Sequence, residues 1–206
     1  MIKHETYNAK EADSLLSLAK EFCAEFSGIH IDIFVIAIAG FVENHSKVRI
    51  TNLPHWPIVL AEDFATELKI SKVFILNDFE ANGYGVQDLS SEDLISMTEN
   101  EPVLHGVKGV VGAGTGLGEA YLAHRHGTDY YNVYPSEGGH TEFAGLSMED
   151  YEFREYIKKV VKETEGKELT RISTERVVCG PALKHIYEFF RLKHYWLDQK
   201  LPDEIC

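Results

Sequence analysis

Cysteine is scarce in this 206-residue sequence, and so is positive charge. The three cysteines, Cys23, Cys179 and Cys206, are odd in number and far apart, and no Cys-x-x-Cys pair occurs. That argues against a disulfide framework and against a cysteine-built zinc knuckle. Lys and Arg total 20 against 33 Asp and Glu, a formal charge of −13, and the cations do not cluster. A surface that neutralises a run of phosphates needs clustered cations, so no nucleic-acid partner is expected, and the acidity favours solubility. Long apolar runs are missing as well. The longest, Ile33 to Ala39, is far too short for a bilayer, and Met1 to Lys10 is polar, with no apolar signal-peptide core. No membrane association and a reducing, cytoplasmic setting are therefore the expectation. What is present is 44% hydrophobic and 26% charged residues, the balance of an ordinary globular protein. The length allows one large domain or two small ones.

Periodicity places the elements. Leu15, Leu16, Leu18, Ala19, Phe22, Cys23 and Phe26 fall on one helical face, and Asn8 with Glu11 has capping-box spacing. The pattern predicts a helix over Ala9 to Phe26. Ile31 to Ala39 is nearly continuous in apolar, mostly β-branched residues and stops at Gly40. That predicts a strand buried on both faces, as in a parallel sheet. Val48 to Ile50 predicts a short strand, Thr51 to Pro57 a loop, Ile58 to Leu68 a helix, and Lys72 to Leu76 a second buried strand. Ser90-x-x-Asp93 opens a further short helix. Helix alternating with strand indicates an α/β layer architecture. From Val107 the pattern changes: Val107–Val111, Glu119–Ala123 and Tyr130–Tyr134 are closely spaced, with Gly-rich connections, and predict an antiparallel meander. Ser147-x-x-Asp150 caps a helix that runs to about Glu165 and ends at Gly166. Pro181 opens a last helix, Ala182 to Lys193. Two α/β units, 1–88 and 89–206, are expected.

Three short constellations have chemistry in them. In Gly112-Ala-Gly114-Thr115-Gly116-Leu-Gly118, alternate glycines let backbone N–H groups approach an anion, and a threonine hydroxyl can join them. The spacing fits neither a dinucleotide fingerprint nor a P-loop, and the same residues also read as a Gly-rich hairpin turn. Asn77-Asp78 follows a strand directly, where ligands sit in α/β sheets. Asp78 could accept a proton from a substrate hydroxyl while Asn77 fixes that substrate; equally, the pair reads as a helix N-cap. In Glu137-Gly138-Gly139-His140, two glycines let a carboxylate and an imidazole converge on one small ligand. Such groups suit sugar hydroxyls, which both donate and accept; an ordinary polar turn is the alternative. No third ligand completes a metal site there. Glu175, in Ser173-Thr-Glu-Arg176, is by itself a surface carboxylate.

The order of these motifs is more specific than any one of them. Ile75-Leu-Asn-Asp-Phe79, Gly112-Ala-Gly-Thr-Gly-Leu-Gly118, Glu137-Gly-Gly-His-Thr-Glu-Phe143 and Glu175-Arg-Val-Val-Cys-Gly-Pro181 together resemble the bacterial-type, ATP-dependent glucokinase family, from about Glu5 to Leu192. The segment Thr51-Asn52 leading to Trp56 is similar to that family too. The resemblance implies an actin-like ATPase (ribonuclease H-like) fold, two α/β domains around a cleft. It implies that Asp78 is the catalytic base for the C6 hydroxyl of glucose, and that Asn77, Asp78, Glu137, His140 and Glu175 bind the sugar. Gly112, Gly114, Thr115 and Gly116 would contact ATP, with Mg²⁺ brought by the nucleotide and no protein-held metal. Glucose is then the small-molecule partner, and a homodimer is an allowed assembly. The sequence departs from the family's pattern at both ends. The family's opening strand and Asp-x-Gly-Gly-Thr loop have no counterpart, and after Leu192 the tail His194 to Cys206 matches nothing in it. The expectation is thus an incomplete fold, with an exposed sheet edge where strands are missing. Its function is ATP:glucose phosphotransfer or, alternatively, that of a catalytically silent sugar-binding or interaction fragment.

Overall fold

The computed structural model describes residues 3–26, 28–50, 53 and 55–193. The Thr51-Asn52 segment and the tail 194–206 lie outside the described residues. The chain divides into two compact units, Met1–Met97 and Thr98–Cys206.

In the first unit, helix α1 spans Leu15–Ala24. It starts later than the periodicity predicts because Ser14 takes an extended backbone conformation and caps it, its hydroxyl accepting from the Ser17 N–H at 3.1 Å. Asn8 and Glu11 form a separate turn, in which the Asn8 amide donates to the Glu11 carboxylate at 2.6 Å. Strand β1 (Ile33–Ile38) is followed by β2 (Val42–Glu43), β3 (Lys47–Val48) and β4 (Val59–Leu60). Helix α2 (Ala61–Leu68), strand β5 (Lys72–Asn77) and helix α3 (Asp78–Gly85) complete the unit. The helix expected from Ile58 begins only at Ala61, because Val59 and Leu60 pair with β3. The strand expected over Val48 to Ile50 is Lys47–Val48, set by its pairing with β2 and β4. Asn44 and His45, both with positive φ, lie in the three-residue β2–β3 turn between Glu43 and Lys47, where tight hairpins favour the left-handed backbone region. At Ser90–Asp93 the capping box forms, but only one 3₁₀ turn follows it.

β1 and β5 pair in parallel, from Ile33 opposite Lys72 to Ile38 opposite Asn77. Ile36 and the fully buried Ile75 look into a core with Val48, Trp56, Val59 and Phe64. Phe34 stacks on Phe64, and the Trp56 indole donates to the Ala12 carbonyl at 2.8 Å. The expectation of strands buried on both faces is corrected here. Ile33 and Val35 are each 52% exposed and Phe74 is 43% exposed. The β1–β5 sheet has two strands, and its packed face is the one that carries Ile36 and Ile75.

The second unit holds the expected meander. Strands β6 (Lys108–Ala113), β7 (Leu117–His124) and β8 (Tyr131–Ser136) pair antiparallel in sequence order. Ala120, Leu122, Tyr131 and Val133 are buried on one face, while Tyr121 and Tyr134 stack on the other, their centroids 5.0 Å apart. Helix α4 (Met148–Glu165) has its capping box at Ser147 and Asp150 and ends at Gly166 in the left-handed region. Helix α5 runs over Gly180–Lys193. Phe153, Ile157 and Val161 of α4, Ile172, and Phe189 of α5 form a compact core.

Candidate active site

Asn77 ends β5 and caps α3. Its side-chain carbonyl accepts from the N–H groups of Phe79 and Glu80 at 2.9 and 3.2 Å, and its amide donates to the Gly40 carbonyl at 3.3 Å. The cap is therefore Asn77, which leaves Asp78 as the first helical residue. A carboxylate there is favoured by the partial positive charge of the helix start. Asp78 is half-buried, and one of its oxygens accepts from the Phe79 N–H at 3.1 Å. Behind it, Glu80 is 4% exposed and approaches the His45 imidazole at 3.7 Å.

In the second unit the glycine loop is a tight connection between β6 and β7. Gly112 pairs with Gly118 inside the ladder, so the turn itself is Gly114-Thr115-Gly116. Thr115 is exposed at its tip, and the Gly180 N–H donates to the Gly114 carbonyl at 2.8 Å. The Glu137–His140 segment is a 3₁₀ turn after β8. Its two glycines are needed for clearance. A methyl group on Gly139 would lie 2.2 Å from the Leu117 carbonyl oxygen, and one on Gly138 would collide with the Glu119 carboxylate. The Arg171 guanidinium donates to the His140 carbonyl at 2.7 Å, and Thr174 N–H donates to the Thr141 carbonyl at 2.8 Å. Those bonds set His140 between two carboxylates: its Nε2 is 3.5 Å from Glu137 and its Nδ1 is 3.9 Å from Glu175. Glu175, alone among these three, is mostly covered, and its Oε2 accepts from the Leu117 N–H at 3.4 Å.

Glu137, His140 and Glu175 thus converge beside the turn Gly114–Gly116, while Asn77 and Asp78 sit at a strand-to-helix junction of the other unit. Reading the sequence did not single out Glu119, Arg171 or Gly180. Their roles depend on contacts between segments far apart in the chain, and only the Gly138-Gly139 pair hinted that something presses on that turn. Among the described residues, no group of three or more His, Cys, Asp and Glu is arranged to hold a metal. No helix among them is long and apolar enough to cross a membrane.

A family model described as Glucokinase matches residues 1–205. The glucokinase of Synechocystis sp. is 36% identical over 192 residues, covering 91% of this chain and 51% of that protein. The glucokinase of Nostoc punctiforme is 34% identical over 191 residues, covering 92% and 52%. Among solved structures, a glucokinase from an Antarctic psychrotroph superposes with a TM-score of 0.69 at 24% identity, over 96% of this chain and 57% of that one. A glucokinase from Balamuthia mandrillaris, in complex with glucose, gives 0.66 at 22% identity, over 91% and 56%. These structural likenesses establish the fold. The chain belongs to the glucokinase family. It spans about half the length of the curated relatives it matches.

Proposed function

We propose that this chain carries the sugar-binding and proton-accepting part of an ATP:glucose phosphotransferase acting in the cytoplasm. The observation that supports it most is the convergence of Glu137, His140 and Glu175 beside the Gly114–Gly116 turn. Two carboxylates and an imidazole supply donors and acceptors for adjacent sugar hydroxyls. The open turn offers backbone N–H groups and the Thr115 hydroxyl to phosphate oxygens. Asp78 accepts the proton of the glucose C6 hydroxyl, and that oxygen forms a bond to the γ-phosphorus of ATP. The bond from phosphorus to the β,γ-bridging oxygen breaks, ADP leaves with that electron pair, and glucose 6-phosphate remains. Asn77 keeps Asp78 at the helix start through its cap and has one amide hydrogen to offer the sugar. Mg²⁺ brought by ATP would offset phosphate charge. Catalysis of this kind is mostly positioning and charge stabilisation.

A second reading follows from the chain's spanning about half the length of its curated relatives: a sugar-binding protein without turnover. A coupled assay for glucose 6-phosphate, run beside calorimetry of glucose, separates the two. For the first reading, Asp78→Asn lowers kcat by about 10²–10⁴, with KM changed less. For the second, turnover is negligible while glucose binds, prefers no galactose in its place, and weakens in Glu137→Ala. Normal kcat in Asp78→Asn overturns the first reading, and glucose binding indifferent to Glu137→Ala overturns both.

A further inference from the structure

The two oxygens of Glu175 face different neighbours. Oε1 is the atom near His140, at 3.9 Å from Nδ1, and so belongs to the sugar-binding cluster. Oε2 accepts from the Leu117 N–H, the first strand residue after the glycine turn, at 3.4 Å. The approach is so close that a methyl group on Gly116 would lie 2.4 Å from Oε2. A full negative charge therefore rests against the very backbone that would receive phosphate. The bond it makes there is long for an N–H to carboxylate pair, so it is readily exchanged for a better partner.

We propose that Glu175 couples the two halves of this site: occupation of the polyol cluster relieves the glycine turn and raises its affinity for a polyphosphate. The proposal rests on the sugar-site reading given above. A sugar hydroxyl that donates to Glu175 draws the carboxylate toward the His140 side and disperses its charge. The Leu117 N–H is then free to point at an anion, and a like charge no longer opposes it. Without sugar, Glu175 acts as a resident anion that competes with phosphate for the same donor. Coupling in binding free energy is reciprocal, so polyphosphate must tighten sugar binding by the same factor. Glu175 would in this way be a positioning residue for the phosphate side as well as a contact for the sugar. The device lies wholly within the second unit and needs no movement of one unit against the other.

The test is calorimetry on the full chain with glucose and inorganic tripolyphosphate as probes. With saturating glucose, tripolyphosphate is expected to bind about 5-fold tighter or more, at the low end of ordinary coupling. Glu175→Gln removes the charge but keeps an acceptor near Leu117; without glucose it should bind tripolyphosphate about 5-fold tighter than the parent, and glucose should add nothing further. Gly116→Ala keeps the charge but expels the carboxylate from the turn, so its coupling factor should fall towards one; circular dichroism confirms that it is folded. If glucose binds and tripolyphosphate affinity is the same with and without it, the coupling is wrong while the sugar site stands. If glucose fails to bind at all, the sugar-site reading falls and the coupling with it. If Glu175→Gln leaves tripolyphosphate affinity unchanged, the charge has no part in the turn and the proposal fails on that side alone.

Discussion

The two units solve the problem of a small core differently. The first lays helices on one face of a two-stranded parallel sheet and leaves Ile33, Val35 and Phe74 half in water on the other. The second separates its tasks: an aromatic-rich core is built by α4, α5 and Ile172, and the three-stranded meander carries the glycine turn and the Glu137–His140 segment. Their candidate functional residues differ to match. Asp78 is held mainly by local structure, one strand end and one helix cap, with the Asn77 amide tied to the Gly40 carbonyl as a single remote contact. Glu137, His140 and Glu175 are held by tertiary contacts between segments remote in sequence. A site of the first kind depends less on its surroundings than a site of the second kind.

The largest expected effects test whether the cores are independent. Ile75 and Ile172 are both fully buried, one in each unit. Either change to Ala should cost about 2–5 kcal/mol. Hydrogen exchange should show Ile75→Ala loosening β1 and β5 while α4 and α5 stay protected, and Ile172→Ala the reverse. Uniform loss of protection in both variants would mean that the units unfold as one.

Next in size is Gly139→Ala. The colliding atom is a backbone carbonyl, which cannot swing aside as a side chain can, so about 1–3 kcal/mol of destabilisation is expected from overpacking. Denaturant midpoints measure it. Glucose affinity should fall by more than that destabilisation explains, because His140 and Glu137 move with the turn. A comparable insult in the first unit, at the exposed Val35, should register nothing in either measurement.

The smallest effect is alkaline. Burial, with the neighbouring Glu188 adding to it, pushes the Tyr156 hydroxyl up to about 12. The folded state therefore holds this proton more tightly than the unfolded chain does. The stability this contributes is complete below pH 10, the ordinary tyrosine value, and is lost as pH rises towards about 12. In the same unit Lys193, raised by its bonds to Glu152 and Glu149, gives up its contribution in the same direction. Unfolding followed by circular dichroism should show the second unit weakening across this window, and Tyr156→Phe should flatten the slope. An unchanged slope would exclude Tyr156 as its source.

How much of this was legible in the sequence varied with the range of the interaction. Helix α4, with Ser147 at one end and Gly166 at the other, was readable almost to the residue because cap, periodicity and stop signal are all local. The meander was readable for the same reason. The start of α1 was not: Asn8 and Glu11 have capping spacing and do bond to each other, yet they close a turn of their own. The burial of β1 was misjudged because an apolar run tells how a strand could be covered, not whether a layer lies on both sides. At the site, residue types and order pointed to Asp78, Glu137, His140 and Glu175, but Arg171 and Glu119 became visible only once distant segments met.

The pairing of β1 with β5 also bears on the order of events when this chain folds. Ile33 must find Lys72 across an intervening hairpin and helix, whereas the β6–β7 ladder begins with Ala113 opposite Leu117, only a short turn away. Closing a long segment has an entropic cost that its contacts repay late, so the meander should form first and the parallel pair last. Until it does, the facing edges of β1 and β5 stay unpaired and open to any other chain nearby, and Ile33, Val35 and Phe74, half exposed even after folding, add to a hazard concentrated in the first unit.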